Sequence, residues 1–265
     1  MLTLTYPAID PVLLEIGPFA IRWYALSYIA GILLAWRYMV VLARRSPTGI
    51  TKPHLDDFIV WATLGVVLGG RLGYVVFYKA GYYLDHPLEA FAVWQGGMSF
   101  HGGLLGGVFS IWLFSRFRGY SWIAIGDIVA CTAPIGLLLG RIANFINGEL
   151  YGRVTESPLG MVFPNGGPLP RHPSQLYEAL LEGLLLLLVL SWLAYRPGIF
   201  ERRGFLSGIF LIGYGIARPV AEMFREPDAH IGFLTVGSTM GQWLSLPLLA
   251  VGIWLVVTSR KNVAA

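Results

Sequence analysis

Seven stretches without a charged side chain recur along this sequence, and they constrain its fold more than any other feature. Six of them have 13 or 14 residues, and the seven cover 23–36, 58–70, 102–115, 128–140, 183–195, 205–217 and 231–259. A helix needs about 20 residues to cross the hydrocarbon core, so each short stretch requires flanking residues to complete a span. The sequence therefore predicts an all-α polytopic membrane protein with about seven transmembrane helices.

A low proportion of charged side chains supports the same interpretation. Charged residues make up 13% of the chain and hydrophobic residues 55%, whereas soluble domains average about 25% charged residues. The 33 glycines suit the close helix packing that is found in lipid. We expect one transmembrane domain over residues 1–265, with an ordered external loop around 148–173.

The distribution of basic residues predicts how these helices are oriented. Alternate connections and the C-terminal tail hold 11 of the 19 basic residues: Arg37, Arg44, Arg45, Lys52, Arg116, Arg118, Arg196, Arg202, Arg203, Arg260 and Lys261. Because loops rich in Lys and Arg remain in the cytoplasm, this pattern places the N-terminus outside and the C-terminus inside. Four other arginines then lie at the outer ends of their spans: Arg22, Arg71, Arg141 and Arg218.

Ionisable residues near these outer ends are functional candidates, because charge is costly within a membrane. In the sixth span, Tyr214, Arg218, Glu222 and Arg225 have the spacing of one helical face. Glu222 can pair with either arginine, and Pro219 removes one backbone donor and favours a kink. The alternative is a salt-bridged helix end with no role in chemistry.

The end of the fourth span, GRIANFINGE at 140–149, is also unusually polar. Arg141 and Asn144 share a helical face with Gly148, and Asn147 and Glu149 lie beside them. Such polarity exceeds what a helix end in lipid requires. The alternative is that the asparagine and glycine residues only cap the helix.

His101 opens the third span, two residues after Ser99. A neutral imidazole suits a general base, and the alternative is a hydrogen-bonded structural residue. Two of the outer arginines have similar alternatives. Arg22 can extend to the lipid headgroups, and Arg71, beside Gly70, can be hidden by close packing.

Together these side chains predict an electropositive pocket at the outer membrane face. The planar fork of arginine matches phosphate bidentately, and an outer-leaflet phospholipid places its phosphate at this depth. The sequence contains no HExxH, GxSxG, P-loop, CxxC or dinucleotide-binding motif, and no His/Cys cluster with metal spacing. We therefore expect neither a metalloprotease nor a nucleotide-driven pump, no metal or other cofactor, and no nucleic-acid partner.

Longer motifs resemble a known family. The segment GRIANFINGELYG at 140–152 is similar to the signature of the bacterial prolipoprotein diacylglyceryl transferases. Further matches follow in the family's order: RWYAL at 22–26, LGGRLGYVVFY at 68–78, GGMSFHGGL at 96–104, RHPSQLYE at 171–178 and GYGIARPVAEMFREPD at 213–228. Their combination, over nearly the whole chain, is more specific than any single motif.

The resemblance implies a seven-helix enzyme of the bacterial inner membrane with a periplasmic N-terminus. Such an enzyme moves the sn-1,2-diacylglyceryl group of phosphatidylglycerol to the lipobox cysteine of a prolipoprotein signal peptide and releases glycerol phosphate. Because the thiol arrives with the substrate, Cys131 is expected to be a buried apolar residue without a catalytic role. The resemblance implies functional roles for Tyr24, His101, Arg141, Asn144, Glu149, Gly152, Tyr214, Arg218 and Glu222.

Among these residues, we expect His101, Arg141 and Arg218 to be catalytic. The arginines would bind the leaving phosphate most tightly in the transition state. His101 is the candidate base, although a thiol activated by a neighbouring guanidinium would need none. The expected substrate contacts are Tyr24, Asn144, Asn147, Glu149, Gly152, Tyr214 and Glu222, of which the two glutamates would mainly position the arginines.

Two other classes of protein compete with this interpretation. A transporter should carry polar groups at the membrane midplane in two symmetry-related halves, whereas here the polar residues gather at one face. An intramembrane protease would need a nucleophile paired with a base. Ser99 lies close to His101 in sequence, but it has no recognisable nucleophile motif around it.

Overall fold

The computed structural model describes residues 4–7, 9–17, 19–226 and 237–259. Asp228, Arg260, Lys261 and the first residues of the last uncharged stretch lie outside these ranges. In chain order the strands and α-helices are β1 Val12–Ile16, β2 Phe19–Arg22, α1 Trp23–Ala43, α2 Lys52–Tyr78, α3 Ala80–Asp85, α4 Phe100–Arg118, α5 Trp122–Ile146, α6 Ser174–Glu178, α7 Leu186–Ala194, α8 Phe205–Glu222 and α9 Met240–Thr258. A π-helix, Ala179–Leu185, joins α6 to α7, and short 3₁₀ turns cover Pro87–Phe91, Val93–Gln95 and Ile199–Glu201.

Six helical segments in the described ranges are long and apolar enough to cross a membrane. They are α1, α2, α5, the continuous segment Ser174–Ala194, α8 and α9. The prediction of a mostly helical, polytopic membrane protein is therefore confirmed. Helix α4 has 19 residues, but its four glycines, His101 and two arginines lower its mean hydropathy, and it is not among the six.

The chain forms two compact units. The first unit contains Met1–Leu42 and Asp127–Ala265, and the second contains Ala43–Gly126. Most of the candidate residues belong to the first unit, whereas Arg71, Ser99 and His101 belong to the second.

In the second unit, α2 and α4 pack with their backbones in contact. A Cβ atom on Gly73 would lie 2.8 Å from Gly102 Cα, and one on Gly65 would lie 2.7 Å from Ser110 Cβ. A side chain larger than hydrogen therefore does not fit at Gly65 or Gly73, as is typical of glycine-mediated helix packing in membranes.

In the first unit, a buried carboxylate ties α5 to the beginning of α8. Asp127 accepts hydrogen bonds from the backbone N–H groups of Gly204 and Ser207, both at 2.7 Å. These groups have no partner within the helix, so the carboxylate caps α8 across the interface. Cys131, one turn further along α5, is buried as expected.

The segment 148–173 is held by backbone pairing. Isolated bridges join Gly152 to Arg225, and Arg171 to both Val154 and Met161. Phe163 packs with Phe145 and Met161 in a buried cluster that also contacts Tyr6. The segment is therefore packed against the end of α5 and the residues that follow α8.

Tyr6, near the N-terminus, also packs at the end of α5. The Tyr6 hydroxyl donates to the carbonyl oxygens of Phe145 (2.7 Å) and Ile146 (3.0 Å) at the end of α5. Burial raises the pKa of the Tyr6 phenol, so it remains a donor. Strands β1 and β2, which follow, form an antiparallel hairpin in which Glu15 lies opposite Ala20.

Candidate active site

Two arginines from different helices meet on one carboxylate. Arg141 lies near the end of α5 and Arg218 near the end of α8. Arg141 Nη2 is 2.6 Å from Glu178 Oε2, and Arg218 Nη1 is 3.0 Å from the same oxygen. Glu178 is fully buried, while the side chains of Arg141 and Arg218 retain 18% and 14% exposure.

A second carboxylate lies one turn beyond the first, within the π-helix. Glu182 is also fully buried, with Oε2 3.9 Å from Arg141 Nη2 and Oε1 3.6 Å from Arg218 Nη1. The helices approach closely here because Gly183 packs on α5, where a Cβ atom would lie 2.7 Å from Leu138 Cα. π-Helices are rare and are frequently found at functional sites.

Two residues of the sixth span, Glu222 and Arg225, join this group. We call Arg141, Arg218, Arg225, Glu178, Glu182 and Glu222 the arginine cluster. Glu222 pairs with Arg218 one turn away on α8, which confirms one of the two predicted pairings. Arg225 instead approaches Glu178, at 3.6 Å. Gly241 at the start of α9 leaves the space for this pair, since a Cβ atom there would lie 2.8 Å from Glu222 Oε1. Helix α8 continues through Pro219 as far as Glu222.

The charge of this cluster differs from the expected electropositive pocket. Three arginines and three glutamates lie together, so the formal charges of these six side chains balance. The difference arises from Glu178 and Glu182, which are distant in sequence from Arg141 and Arg218 and reach them only through helix packing. Buried charges require such partners, because removing an unpaired ion from water is costly.

The polar end of α5 forms a separate hydrogen-bonded group. The amides of Asn144 and Asn147 donate to Glu149 Oε1, at 2.8 and 3.2 Å. Gln175, buried in α6, donates to the Glu149 backbone carbonyl at 2.7 Å. Gly148 has φ of 65°, a left-handed conformation that favours glycine at a helix end. The capping alternative therefore holds for Gly148, whereas both asparagine amides bind a carboxylate.

Gly152 lies between the segment that contains His172 and the residues that follow α8. Its N–H donates to the His172 carbonyl at 2.8 Å, and a Cβ atom on it would lie 2.7 Å from His172 Cβ. Arg153, the next residue, donates to the carbonyls of Glu222 (3.1 Å) and Arg225 (2.9 Å). Gly152 therefore allows the loop to bind the backbone at the end of α8.

The two tyrosines of the predicted site approach the arginines from different helices. The Tyr24 hydroxyl, on α1, lies 3.3 Å from the Tyr28 hydroxyl and is near Arg141 and Glu149. Tyr214 lies one turn before Arg218 on α8, near Arg141, Glu178 and Glu182. The first unit thus brings together all the predicted site residues except His101.

His101 lies in the first turn of α4 in the second unit, and its side chain is exposed. Ser99 caps this helix by accepting a hydrogen bond from Gly102 N at 3.2 Å. Its hydroxyl therefore has a structural partner, which weakens the protease alternative.

Arg71 has a different environment from the cluster arginines. It is 4% exposed and donates to the carbonyls of Glu89 (2.6 Å), Ala90 (2.7 Å), Gly96 (2.5 Å) and Gly97 (3.2 Å). Its guanidinium organises the segment between α3 and α4, in agreement with the structural alternative. Within the described ranges, no three His, Cys, Asp or Glu side chains are grouped as a metal site.

Comparison with known proteins identifies the family. The sequence model of the prolipoprotein diacylglyceryl transferase family matches residues 11–258. The chain belongs to the prolipoprotein diacylglyceryl transferase family. It is similar to the phosphatidylglycerol–prolipoprotein diacylglyceryl transferase of Paramagnetospirillum magneticum, with 62% identity over 260 residues that cover 98% of this chain and 97% of the relative. The enzymes of the same name from Rhodospirillum centenum and Azospirillum brasilense share 56% identity over 255 residues (95% and 92% covered) and 54% over 268 residues (100% of both).

Membership of the diacylglyceryl transferase family confirms the resemblance and makes this chain a transferase. The residues missed from the sequence are Ser174, Gln175, Glu178 and Glu182, all fully buried. A signal was present, since Glu178 and Glu182 are charged residues four apart directly before an uncharged stretch. That spacing indicates one helical face, but it does not indicate which partner the face meets.

Proposed function

We propose that this transferase moves the sn-1,2-diacylglyceryl group of phosphatidylglycerol to the thiol of a prolipoprotein lipobox cysteine. The products are a thioether-linked lipoprotein precursor and glycerol phosphate. The observation that carries the proposal is that Arg141 and Arg218, which lie on two different helices and are partly exposed, both contact one buried carboxylate. Two guanidinium groups held so close can bind one phosphate together.

The reaction substitutes sulfur for oxygen at the C3 carbon of the diacylglyceryl group. The thiol sulfur forms the C–S bond while the C3–O bond to phosphate breaks, and the electron pair of that bond remains on the phosphate oxygen. Negative charge therefore grows on the leaving phosphate. Arg141 and Arg218 lower the barrier to the extent that they bind this charge more tightly in the transition state than in the bound lipid.

The thiol proton is assigned to His101. A neutral imidazole accepts a proton at physiological pH, and its place in the first turn of α4 leaves the ring exposed. The alternative is that the guanidinium groups favour the thiolate directly, in which case the proton passes to solvent.

The other predicted residues orient the lipid headgroup and the catalytic side chains. Tyr24, Tyr214, Asn144 and Asn147 supply hydroxyl and amide groups, and Gly152 permits close backbone approach. Glu149 holds the two amides and Glu222 holds Arg218, so these carboxylates act through their neighbours. They are positioning residues in this proposal.

The proposed location is the bacterial inner membrane, with seven spans in one transmembrane domain and the active site facing the periplasm. In this topology α4, the third span in chain order, is added to the six helical segments named above. The N-terminus is periplasmic and the C-terminus is cytoplasmic. The distribution of basic residues supports it. In intact cells, an impermeant thiol reagent should label Asp85→Cys and Asn165→Cys but not Arg45→Cys or Arg202→Cys, and the opposite pattern would exclude this orientation.

A direct transfer assay tests the proposed reaction. Purified protein in detergent is incubated with a lipobox peptide and phosphatidylglycerol that is labelled in the glyceryl carbons of its diacylglyceryl group. We expect label on the peptide, stable to hydroxylamine as a thioether is, together with stoichiometric glycerol phosphate. A peptide with Ser in place of the lipobox Cys is the matched control. Absence of transfer by protein that elutes as a folded species would contradict the proposal.

A further inference from the structure

Glu178 lies at the centre of the arginine cluster, yet the reaction gives a carboxylate there no direct task. Its Oε2 atom is within 3.6 Å of guanidinium nitrogens from Arg141, Arg218 and Arg225. These arginines come from α5, from α8 and from the segment after α8. A single oxygen atom thus brings together cations from three parts of the chain.

Three guanidinium groups of like charge would separate without an anion between them, because repulsion is strong where water is excluded. The fully buried Glu178 is therefore the contact that sets how far apart Arg141 and Arg218 stand. That separation decides whether both can bind the same phosphate.

The turn that carries Glu178 is itself fixed. Ser174 donates through Oγ to the Leu150 carbonyl at 3.1 Å, and Gln175 donates to the Glu149 carbonyl at 2.7 Å. Both side chains are fully buried. Helix α6 is consequently bound to the loop that follows α5, so Glu178 has a defined position relative to the end of α5.

Glu182 provides an internal comparison. It is equally buried and lies on the same face one turn later, but its oxygens are 3.6 and 3.9 Å from the arginines and accept no hydrogen bond. Glu178 Oε2, in contrast, accepts a hydrogen bond from Arg218 at 3.0 Å. The two glutamates are the same residue type with the same burial, and they differ in whether they hold the guanidinium groups by a hydrogen bond.

We propose that Glu178 is the positioning residue that holds Arg141 and Arg218 at the separation required to bind the leaving phosphate together. This inference rests on the proposed function, since it assigns the arginines to phosphate. It separates two effects of the buried glutamates. Both contribute negative charge to the cluster, and Glu178 alone of the two fixes the geometry of the arginines.

The test compares Glu178→Gln with Glu182→Gln in the transfer assay, with kcat and KM measured separately for phosphatidylglycerol. Each substitution keeps the side-chain size and replaces a buried carboxyl group by a neutral amide, so any effect of lost negative charge on lipid affinity has the same direction in both variants. We expect kcat to fall at least thirtyfold in Glu178→Gln. The fold-loss of kcat in Glu182→Gln should be at least ten times smaller than that in Glu178→Gln. Glu201→Gln, at an exposed position, is the control expected to match the parent.

Equal losses of kcat in the two variants would overturn the proposal, because charge alone would then explain them. A Glu178→Gln variant within threefold of the parent would also overturn it. Thermal unfolding in detergent separates a loss of positioning from a loss of folding. If Glu178→Gln does not fold, Glu178→Asp gives the same test: it keeps the charge but shortens the reach by one methylene, so kcat should fall, and a parent-like kcat would overturn the proposal.

The parent enzyme distinguishes this failure from that of the proposed function. If the parent transfers no diacylglyceryl group, the proposed reaction is wrong. If the parent is active and Glu178→Gln is equally active, the reaction stands and only the assignment of Glu178 fails.

Discussion

Arg71 and the pair formed by Arg141 and Arg218 are arginines near span ends in two contrasting environments. Arg71 donates to four backbone carbonyls of one segment. Arg141 and Arg218 face carboxylates contributed by another helix. Backbone carbonyls are neutral and fixed by the fold, whereas a phosphate can compete with a carboxylate for the same guanidinium fork. The chemistry of the partner therefore separates a structural arginine from a candidate catalytic one.

The largest expected effect is on stability and concerns Arg71. Arg71→Met removes four hydrogen bonds to carbonyls that remain partly buried, so the free energy of unfolding should fall by about 3 kcal/mol. Thermal unfolding in detergent and limited proteolysis within 86–98 measure the change. The matched control is Arg22→Met, an exposed arginine that should leave stability near that of the parent. Parent-like stability of Arg71→Met would remove the contrast between the two environments.

The next effect is on catalysis and concerns the cluster arginines. Arg141→Lys and Arg218→Lys keep the charge but lose the planar fork, so kcat/KM should fall at least about thirtyfold in each, or about 2 kcal/mol. Arg196→Lys is the control, since Arg196 is exposed and stacks over Trp192 at 4.1 Å. Near-normal turnover by both cluster variants would leave the phosphate role without support.

A smaller effect is expected at His101, which shares its unit with Arg71. If His101 is the base, His101→Gln should lose more than threefold in rate, since the amide hydrogen-bonds but cannot accept a proton at neutral pH. A folded His101→Gln within about threefold of the parent, under 1 kcal/mol of barrier, would assign the chemistry to the arginine cluster alone.

The smallest effect concerns His172, whose ring packs against Tyr177 and Phe224. Burial lowers the pKa of His172, so the unfolded chain takes up its proton at a higher pH than the folded one. Its contribution to stability is present above the unfolded pKa and decreases as the pH falls below about 6.5. The expected size is a few tenths of a kcal/mol, since the ring is only partly buried.

Thermal midpoints at pH 7.5 and 5.5 measure this effect. His172→Phe keeps the aromatic contact and should reduce the difference between the two midpoints. An unchanged difference would assign the pH dependence to other groups.

Much of the fold followed from the spacing of apolar residues. Six of the seven uncharged stretches correspond to spans because a helix in lipid must satisfy its own backbone and present apolar side chains. Helix α4 was located by the same pattern, although its glycines and His101 reduce its mean hydropathy. The glycines themselves indicated close packing, and α2 and α4 are in backbone contact.

The candidate site was only partly accessible from the sequence. The pairing of Arg218 with Glu222 followed from an i, i+4 spacing on one helix. The meeting of Arg141 with Glu178 did not, because 37 positions separate them and only the packing of α5 against α6 and the π-helix joins them. The expectation of a positive pocket omitted Glu178 and Glu182 for the same reason.

The sequence by itself determined that this chain spans a membrane, where its helices lie, and to which family it belongs. Hydropathy and local motifs suffice for these conclusions because they act over neighbouring residues. Tertiary structure decided which charges meet: Arg71 with fixed carbonyls, and Arg141 and Arg218 with Glu178. These partners differ because a buried guanidinium needs an acceptor close in space, and the packing of helices distant in sequence determines which acceptor is near.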